Sequence, residues 1–320
     1  MKKSKERHKY KIVYPYLKWI LSALSVYFFF IQFNSIETGF FDRITDVITE
    51  NVFVFLLIIL LALINWNGEA YKFSLLIKSE VVLSRIRSFL IILGGMAISN
   101  FTPARTGEYI GRGLLLKNVH PLKVVIATVA GNIAQVSMTY GLGLVSVVGL
   151  LFFTDFGGDF DITQQLFYVA AVLIILILIA FNIKRIVGFV KQRLPASISE
   201  KLDLVKQYNR KLYKKIVWVA FIRYLAFSTQ FYLLMQMFSD ASLELWHLLV
   251  IPSAYLLQSV VPVPAISDVG VRVAVTQLLF GSVLGEEIIL QSVTLLWFLN
   301  FIVPGLLGTV YLIYTNFKQR

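Results

Sequence analysis

Hydrophobic residues in this chain gather into long blocks, separated by short charged segments whose sign alternates. Six blocks, at 16–33, 52–77, 124–153, 166–183, 216–238 and 288–314, contain almost no charge. A helix needs roughly 20 apolar residues to cross the hydrocarbon core of a bilayer, so each block predicts a membrane-crossing helix. Two further apolar runs, 89–98 and 248–261, are too short and stop at a polar break before restarting, the first at 108–116 and the second after Asp268 through Phe280. At the first break stand Asn100, Thr102, Pro103, Arg105, Gly107 and Glu108, with Arg112 one helical turn beyond Glu108. Proline removes a backbone donor and disfavours helix in the residue before it, and glycine admits angles that other residues avoid. A helix broken at membrane depth is tolerated only where protein or a watery cavity covers it, which makes each break a candidate site.

Charge placement sets the expected orientation. The start of the chain (1–11), the segment 78–87, the group Lys117, His120 and Lys123, and the end of the chain are basic, and 184–215 holds ten Lys or Arg against two acids. Acids dominate 34–51, where Glu37, Asp42, Asp46 and Glu50 face only Arg43, and also 154–161 and 239–246. With a cytoplasmic N-terminus and both interrupted segments re-entrant, every basic segment falls inside and every acidic loop outside. If the interrupted segments crossed instead, basic and acidic loops would share a side. The expected fold is therefore an all-α polytopic membrane protein with about six full transmembrane helices and two oppositely oriented re-entrant broken-helix hairpins. It is a single integral membrane domain over 1–320 with both termini cytoplasmic, in the cytoplasmic (inner) membrane. Its segments 52–153 and 216–315 form an inverted repeat of the kind found in secondary transporters. The basic segment 184–215 reads as an amphipathic helical hairpin on the cytoplasmic face, in contact with anionic lipid heads.

Composition agrees with the pattern: hydrophobic residues are 58% and charged residues 15%, and mean hydropathy is +0.75. The net charge of +12 would suit nucleic acid in a soluble domain, but here the basic residues follow the membrane topology and no nucleic-acid partner is expected. There are no cysteines, so thiol catalysis and disulfides are excluded, and the three histidines stand far apart, which argues against a metal cluster. No cofactor is implied. No nucleophile with a base appears, and the two acids in the breaks already have arginine partners, so transport is expected rather than enzyme catalysis.

Glu108 and Arg112 are four residues apart, and so are Asp268 and Arg272. That spacing puts each pair on one helical face, where acid and base neutralise one another. Each pair can lock a kink as a structural salt bridge, bind substrate, or do both. The arginine fork suits phosphate, and restarted helices aim their positive ends at the breaks. Candidate substrate-binding residues are Arg105, Arg112, Arg272, Glu108, Asp268, Asn100 and Thr102, with Arg223, eight residues into its block, adding another guanidinium. Asn132, Gln135 and Thr139 share a face and could line a polar path or bond between helices. Glu69 with Asn65 and Asn67, Gln230 with Gln236, and Asn300 with Pro304 read as packing or interface groups.

The stretch Asn100-Phe-Thr-Pro-Ala-Arg-Thr-Gly-Glu108 with Arg112 resembles the first signature of the lysylphosphatidylglycerol synthase transmembrane-region family. Pro262-Val-Pro264-Ala-Ile-Ser-Asp-Val-Gly270-Val-Arg272 is similar to its second, a proline-glycine-rich turn that opens a helix. Ala104 and Ala265-Ile266 stand where the family usually has glycines, and Val273 where it commonly has an acid, with Asp268 as the substitute. The resemblance covers nearly the whole chain. It implies a membrane part that moves an aminoacylated phospholipid between leaflets, without the soluble domain that attaches the amino acid. The resulting expectation is a flippase for an anionic or phosphate-bearing lipid: a phospholipid, an aminoacyl-phospholipid or a polyprenyl phosphate. Arg105, Arg112 and Arg272 would bind the phosphate while Glu108 and Asp268 hold them, and Arg112→Ala would stop movement without unfolding the protein. The alternatives are a carrier of a small anionic solute and a non-transporting partner that presents lipid to a membrane synthase or glycosyltransferase. Expected partners are membrane lipids with anionic headgroups, a second copy of the chain, or a lipid-modifying enzyme.

Overall fold

The computed structural model describes residues 40–100, 102, 106–116, 118–153, 208–239, 242–243, 247–261, 263 and 267–314. Among them the chain is helical, with α1 at Phe40–Glu50, α2 at Val52–Leu76, α3 at Arg85–Ser99, α4 at Gly107–Leu115 and α5 at Pro121–Phe153. Then follow α6 at Arg210–Phe238, α7 at His247–Val260, α8 at Asp268–Phe280, α9 at Glu286–Trp297, a π-helical turn at Phe298–Ile302, and α10 at Val303–Tyr314.

Among the described residues, four helices are long and apolar enough to cross a membrane: Val52–Leu76, Pro121–Leu150, Arg210–Phe238 and the continuous run Glu286–Tyr314. They coincide with four of the six apolar blocks. The other two, 16–33 and 166–183, lie outside the described residues, as do both chain ends and most of the basic segment 184–215. Both interrupted runs are broken as the hydropathy pattern predicts. The pair α3 and α4 has 15 and 9 residues and the pair α7 and α8 has 14 and 13; at 1.5 Å per residue none reaches roughly 30 Å.

One element departs from the expectation of an acidic loop at 34–51. Residues 40–50 form α1 because Ile44, Val47 and Ile48 fall on one helical face and pack against the core, leaving the acids on the other. Another departure is the start of α6, six residues before its apolar block. Asn209 accepts a hydrogen bond from Leu212 N at 2.7 Å, an N-cap that begins the helix inside the basic segment.

Helix packing is reciprocal. The two long helices α2 and α6 pack on each other; α3 packs on α4 and on α10, while α7 packs on α8 and on α5. Likewise α4 touches α5 as α8 touches α9. Glycines set the closest approaches: a Cβ on Gly111 of α4 would stand 2.9 Å from Gly95 Cα of α3, and one on Gly143 of α5 would stand 2.6 Å from Leu256 Cβ of α7. Two apolar clusters result. One gathers Phe73, Ile91, Ile92, Val124 and Ile216, the other Phe231, Leu234, Val273, Phe280 and Ile289.

The π turn has a local cause. Pro304 offers no N–H and its ring crowds the carbonyl four residues back, that of Asn300, so the helix widens through 298–302. This places Asn300 inward, 3% exposed, where it meets α2 and α6.

Candidate functional site

The polar interior is organised around Glu69, three-quarters of the way along α2. Glu69 Oε1 accepts from Arg112 Nη2 of α4 at 2.9 Å, and Oε2 accepts from Lys72 Nζ at 2.7 Å and from Arg223 Nη1 of α6. Arg112 Nη2 also donates to Glu108, and its guanidinium lies over the Phe73 ring at 4.8 Å. Lys72 Nζ reaches Gly131 O of α5 at 3.1 Å. Buried charges are tolerated when each is paired and hydrogen-bonded, and here one carboxylate ties together α2, α4 and α6, with Lys72 extending the network to α5.

The network continues toward the π turn. Arg223 Nε donates to Asn65 O at 2.9 Å and to Asn65 Oδ1 at 3.1 Å, and Arg223 Nη1 donates to Gln135 Oε1 of α5 at 2.9 Å. Asn65 Nδ2 donates to Asn300 Oδ1 at 3.1 Å, Asn300 Nδ2 to Gln230 Oε1 at 2.9 Å, and Gln230 Nε2 to Ile58 O at 3.2 Å. A second pair stands at the start of α8, where Arg272 Nε and Nη2 meet Asp268 Oδ2 at 2.8 and 2.7 Å. Arg272 Nη1 donates to Gln258 Oε1 of α7 at 3.3 Å, and its guanidinium lies 5.2 Å from the Phe301 ring centre. Asp268 and Glu108 each fall in the first turn of a restarted helix, where a negative charge complements the helix dipole.

Both networks border one cavity of about 550 Å³, lined by Asn65, Gln135, Arg223, Gln258, Asp268 and Arg272 among its polar groups. This volume is in the usual range for ligand sites. Exposure separates the basic side chains: Lys72 and Arg112 are 1% exposed, whereas Arg223 is 15% and Arg272 12% exposed. Three cations meet two carboxylates in the Glu69 network, and the surplus positive charge reaches the cavity through Arg223.

Of the residues singled out by sequence, Arg223, Arg272 and Asp268 line the cavity together, joined by Gln135 and Thr139 of the proposed polar face. Glu108 and Arg112 are instead held in the network behind Arg223. Asn100 is buried, donating Nδ2 to Phe301 O at 2.8 Å, so it fastens the end of α3 to the π turn. Thr102 spans the first break, accepting from Gly107 N at 2.7 Å and donating to Ser99 O at 3.2 Å. Arg105 lies outside the described residues. Lys72 and Gln258 were not among the candidates, and Glu69, Asn65 and Asn300 read as packing groups. The available signal was the spacing of Asn65, Glu69 and Lys72, which puts two ionisable residues on one face of a membrane span.

The family model for the lysylphosphatidylglycerol synthase TM region matches residues 16–308, so both breaks and the whole cavity fall inside the match. The chain belongs to this family. No curated protein matches it. Membership of the lysylphosphatidylglycerol synthase TM region, with four helices of spanning length, makes this a multi-pass membrane protein of a lipid-associated domain family. It also agrees with the resemblance read from the two break motifs.

Proposed function

We propose that this protein is a flippase that moves an anionic, phosphate-bearing lipid across the cytoplasmic membrane, and that it is a transporter rather than an enzyme. The observation that carries the reading is a cavity bordered by Arg223 and Arg272, two partly exposed guanidiniums inside an apolar bundle. Guanidinium forks are suited to phosphate, and in a low-dielectric interior such charges attract an anion strongly. Val136 lies mid-way along α5, borders the same cavity and is 52% exposed, so among the described residues the cavity reaches the lateral surface at mid-helix. A side opening suits a substrate whose chains stay in lipid while its head passes through protein.

In this reading α3–α4 and α7–α8 are the two re-entrant hairpins, and α2–α5 and α6–α10 are repeats of opposite orientation. The reciprocal packing of α3 on α10 and α7 on α5 supports this, as do the matched pairs Glu108/Arg112 and Asp268/Arg272. The charge bias of the loops supports cytoplasmic termini. A carrier of a small anionic solute is the second reading, favoured by a volume that would also enclose such a solute whole.

The test is headgroup-accessibility assay in proteoliposomes with acyl-labelled phosphatidylglycerol and a polyprenyl phosphate. Wild-type protein is expected to move at least one of them, and Arg223→Gln and Arg272→Gln each to slow it tenfold or more. Lipid movement indifferent to both substitutions would remove the cavity from the transport path.

A further inference from the structure

A second cavity, of about 630 Å³, lies between the end of α2 and the start of α6. It shares no lining residue with the first. On α2 the nearest lining positions are Asn65 and Leu75, and on α6 Arg223 and Lys215, separations of roughly 12–15 Å along the helices. The charged groups of the second cavity are Lys78, Lys211 and Lys215, and among the described residues no acid lines it. Leu75, Leu76 and Leu212 supply an apolar wall.

The lysines stand where positive charge is unfavourable. The first turn of a helix favours acids, yet α6 opens with Arg210, Lys211, Lys214 and Lys215 and has no acid in its first turn. Lys211 and Lys215 are also four residues apart, where like charges repel. Lys78 follows the C-terminal end of α2, a favourable place by itself, but it brings a third charge to the same pocket. Nearby carboxylates do not offset the three. Glu80 is paired with Lys123 at 3.1 Å, and among the described residues Lys78 and Lys211 have no ion-pair partner. Lys215 Nζ lies 5.2 Å from the Tyr71 ring centre, which draws its chain toward α2. Backbone adds donors at the same end: Asn209 Oδ1 caps Leu212 N, while the N–H groups of Arg210 and Lys211 precede any intrahelical acceptor.

We infer that this pocket is a second anion site, which binds a phosphate-bearing ligand and thereby clamps the end of α2 to the start of α6. A phosphate there neutralises the crowded lysines and meets the positive end of α6. The inference stands apart from the transport reading, because neither arginine of the first cavity takes part. A lipid head and a soluble phosphate compound present the same group to the lysines. The leucine wall, at the end of a helix of spanning length, favours the lipid.

The experiment titrates purified protein in neutral detergent with labelled phosphatidylglycerol, with diacylglycerol of the same chains, and with pyrophosphate. Two variants of equal charge are compared, so that binding in the first cavity is common to both. Lys78→Gln/Lys211→Gln/Lys215→Gln is expected to lose one equivalent of bound phosphatidylglycerol. Arg85→Gln/Arg87→Gln/Lys214→Gln, which removes exposed bases outside the pocket, is expected to lose none. Diacylglycerol should bind both alike, and a lysine-dependent loss of it would overturn phosphate recognition. A loss seen with pyrophosphate and not with the lipid supports the site and names a soluble ligand. Equal losses in the two variants, or none in either, overturn the inference. Should the lysine variant not fold, Lys78→Gln and Lys211→Gln decide singly, each expected to weaken binding by roughly threefold or more.

Discussion

Glu69 on α2 and Arg223 on α6 form an ion pair across 154 residues of sequence, and through it the Arg112 of the first break is linked to the cavity. The same carboxylate holds Lys72 and Arg112 in a place where neither reaches solvent. Its removal leaves three cations with one acid among them. Glu69→Ala is therefore expected to destabilise the fold by roughly 3–5 kcal/mol, the usual cost of stranding a buried charge. Unfolding in detergent measures this. Lys72→Met in the same background should recover part of the loss, and a double-mutant cycle in which the two changes simply add would dissolve the proposed coupling.

Arg112 illustrates how burial changes an expectation. From its position in the break motif, Arg112→Ala would leave a folded but inactive protein. Within the structure the side chain is 1% exposed, contacts both Glu69 and Glu108, and does not line the cavity. The substitution is now expected to lower stability by about 3–5 kcal/mol. A variant with an unshifted melting temperature and no transport would instead return Arg112 to the substrate path.

The Asp268/Arg272 pair allows activity to be separated from stability. Its partners lie on one helix, four residues apart and partly exposed, so replacing both strands no charge. Asp268→Asn with Arg272→Gln is expected to keep the melting temperature within a few degrees while lipid movement falls at least tenfold. Retained movement in this double variant would leave Arg223 as the arginine to test in its place.

Gly143 marks the contact between α5 and α7. A side chain there meets Leu256 Cβ at 2.6 Å and Pro252 O at 2.9 Å, whereas one at Gly141 or Gly149 meets nothing within 4 Å among the described residues. Overpacking costs about 1–3 kcal/mol, so Gly143→Leu should lower the melting temperature and the same change at Gly149 should not. Similar losses at both positions would contradict the close approach of these helices.

Hydropathy is a local property, and for that reason the four apolar blocks within the described residues and the two broken helices could be placed by reading along the chain. The pairs Glu108/Arg112 and Asp268/Arg272 were equally legible, because four-residue spacing fixes a helical neighbour wherever the helix lies. In α1 the spacing of Ile44, Val47 and Ile48 was present but masked by the acids between them. The partners of Glu69 were of another kind. Arg112 and Arg223 lie 43 and 154 residues away, and Lys72 meets the carbonyl of Gly131 across 59. Tertiary packing alone decided which arginines are sealed behind a carboxylate and which face the cavity. The physical reason is that a buried charge must be neutralised by whatever helix comes to lie against it, and that helix is chosen by the fit of whole apolar faces rather than by the residues beside the charge.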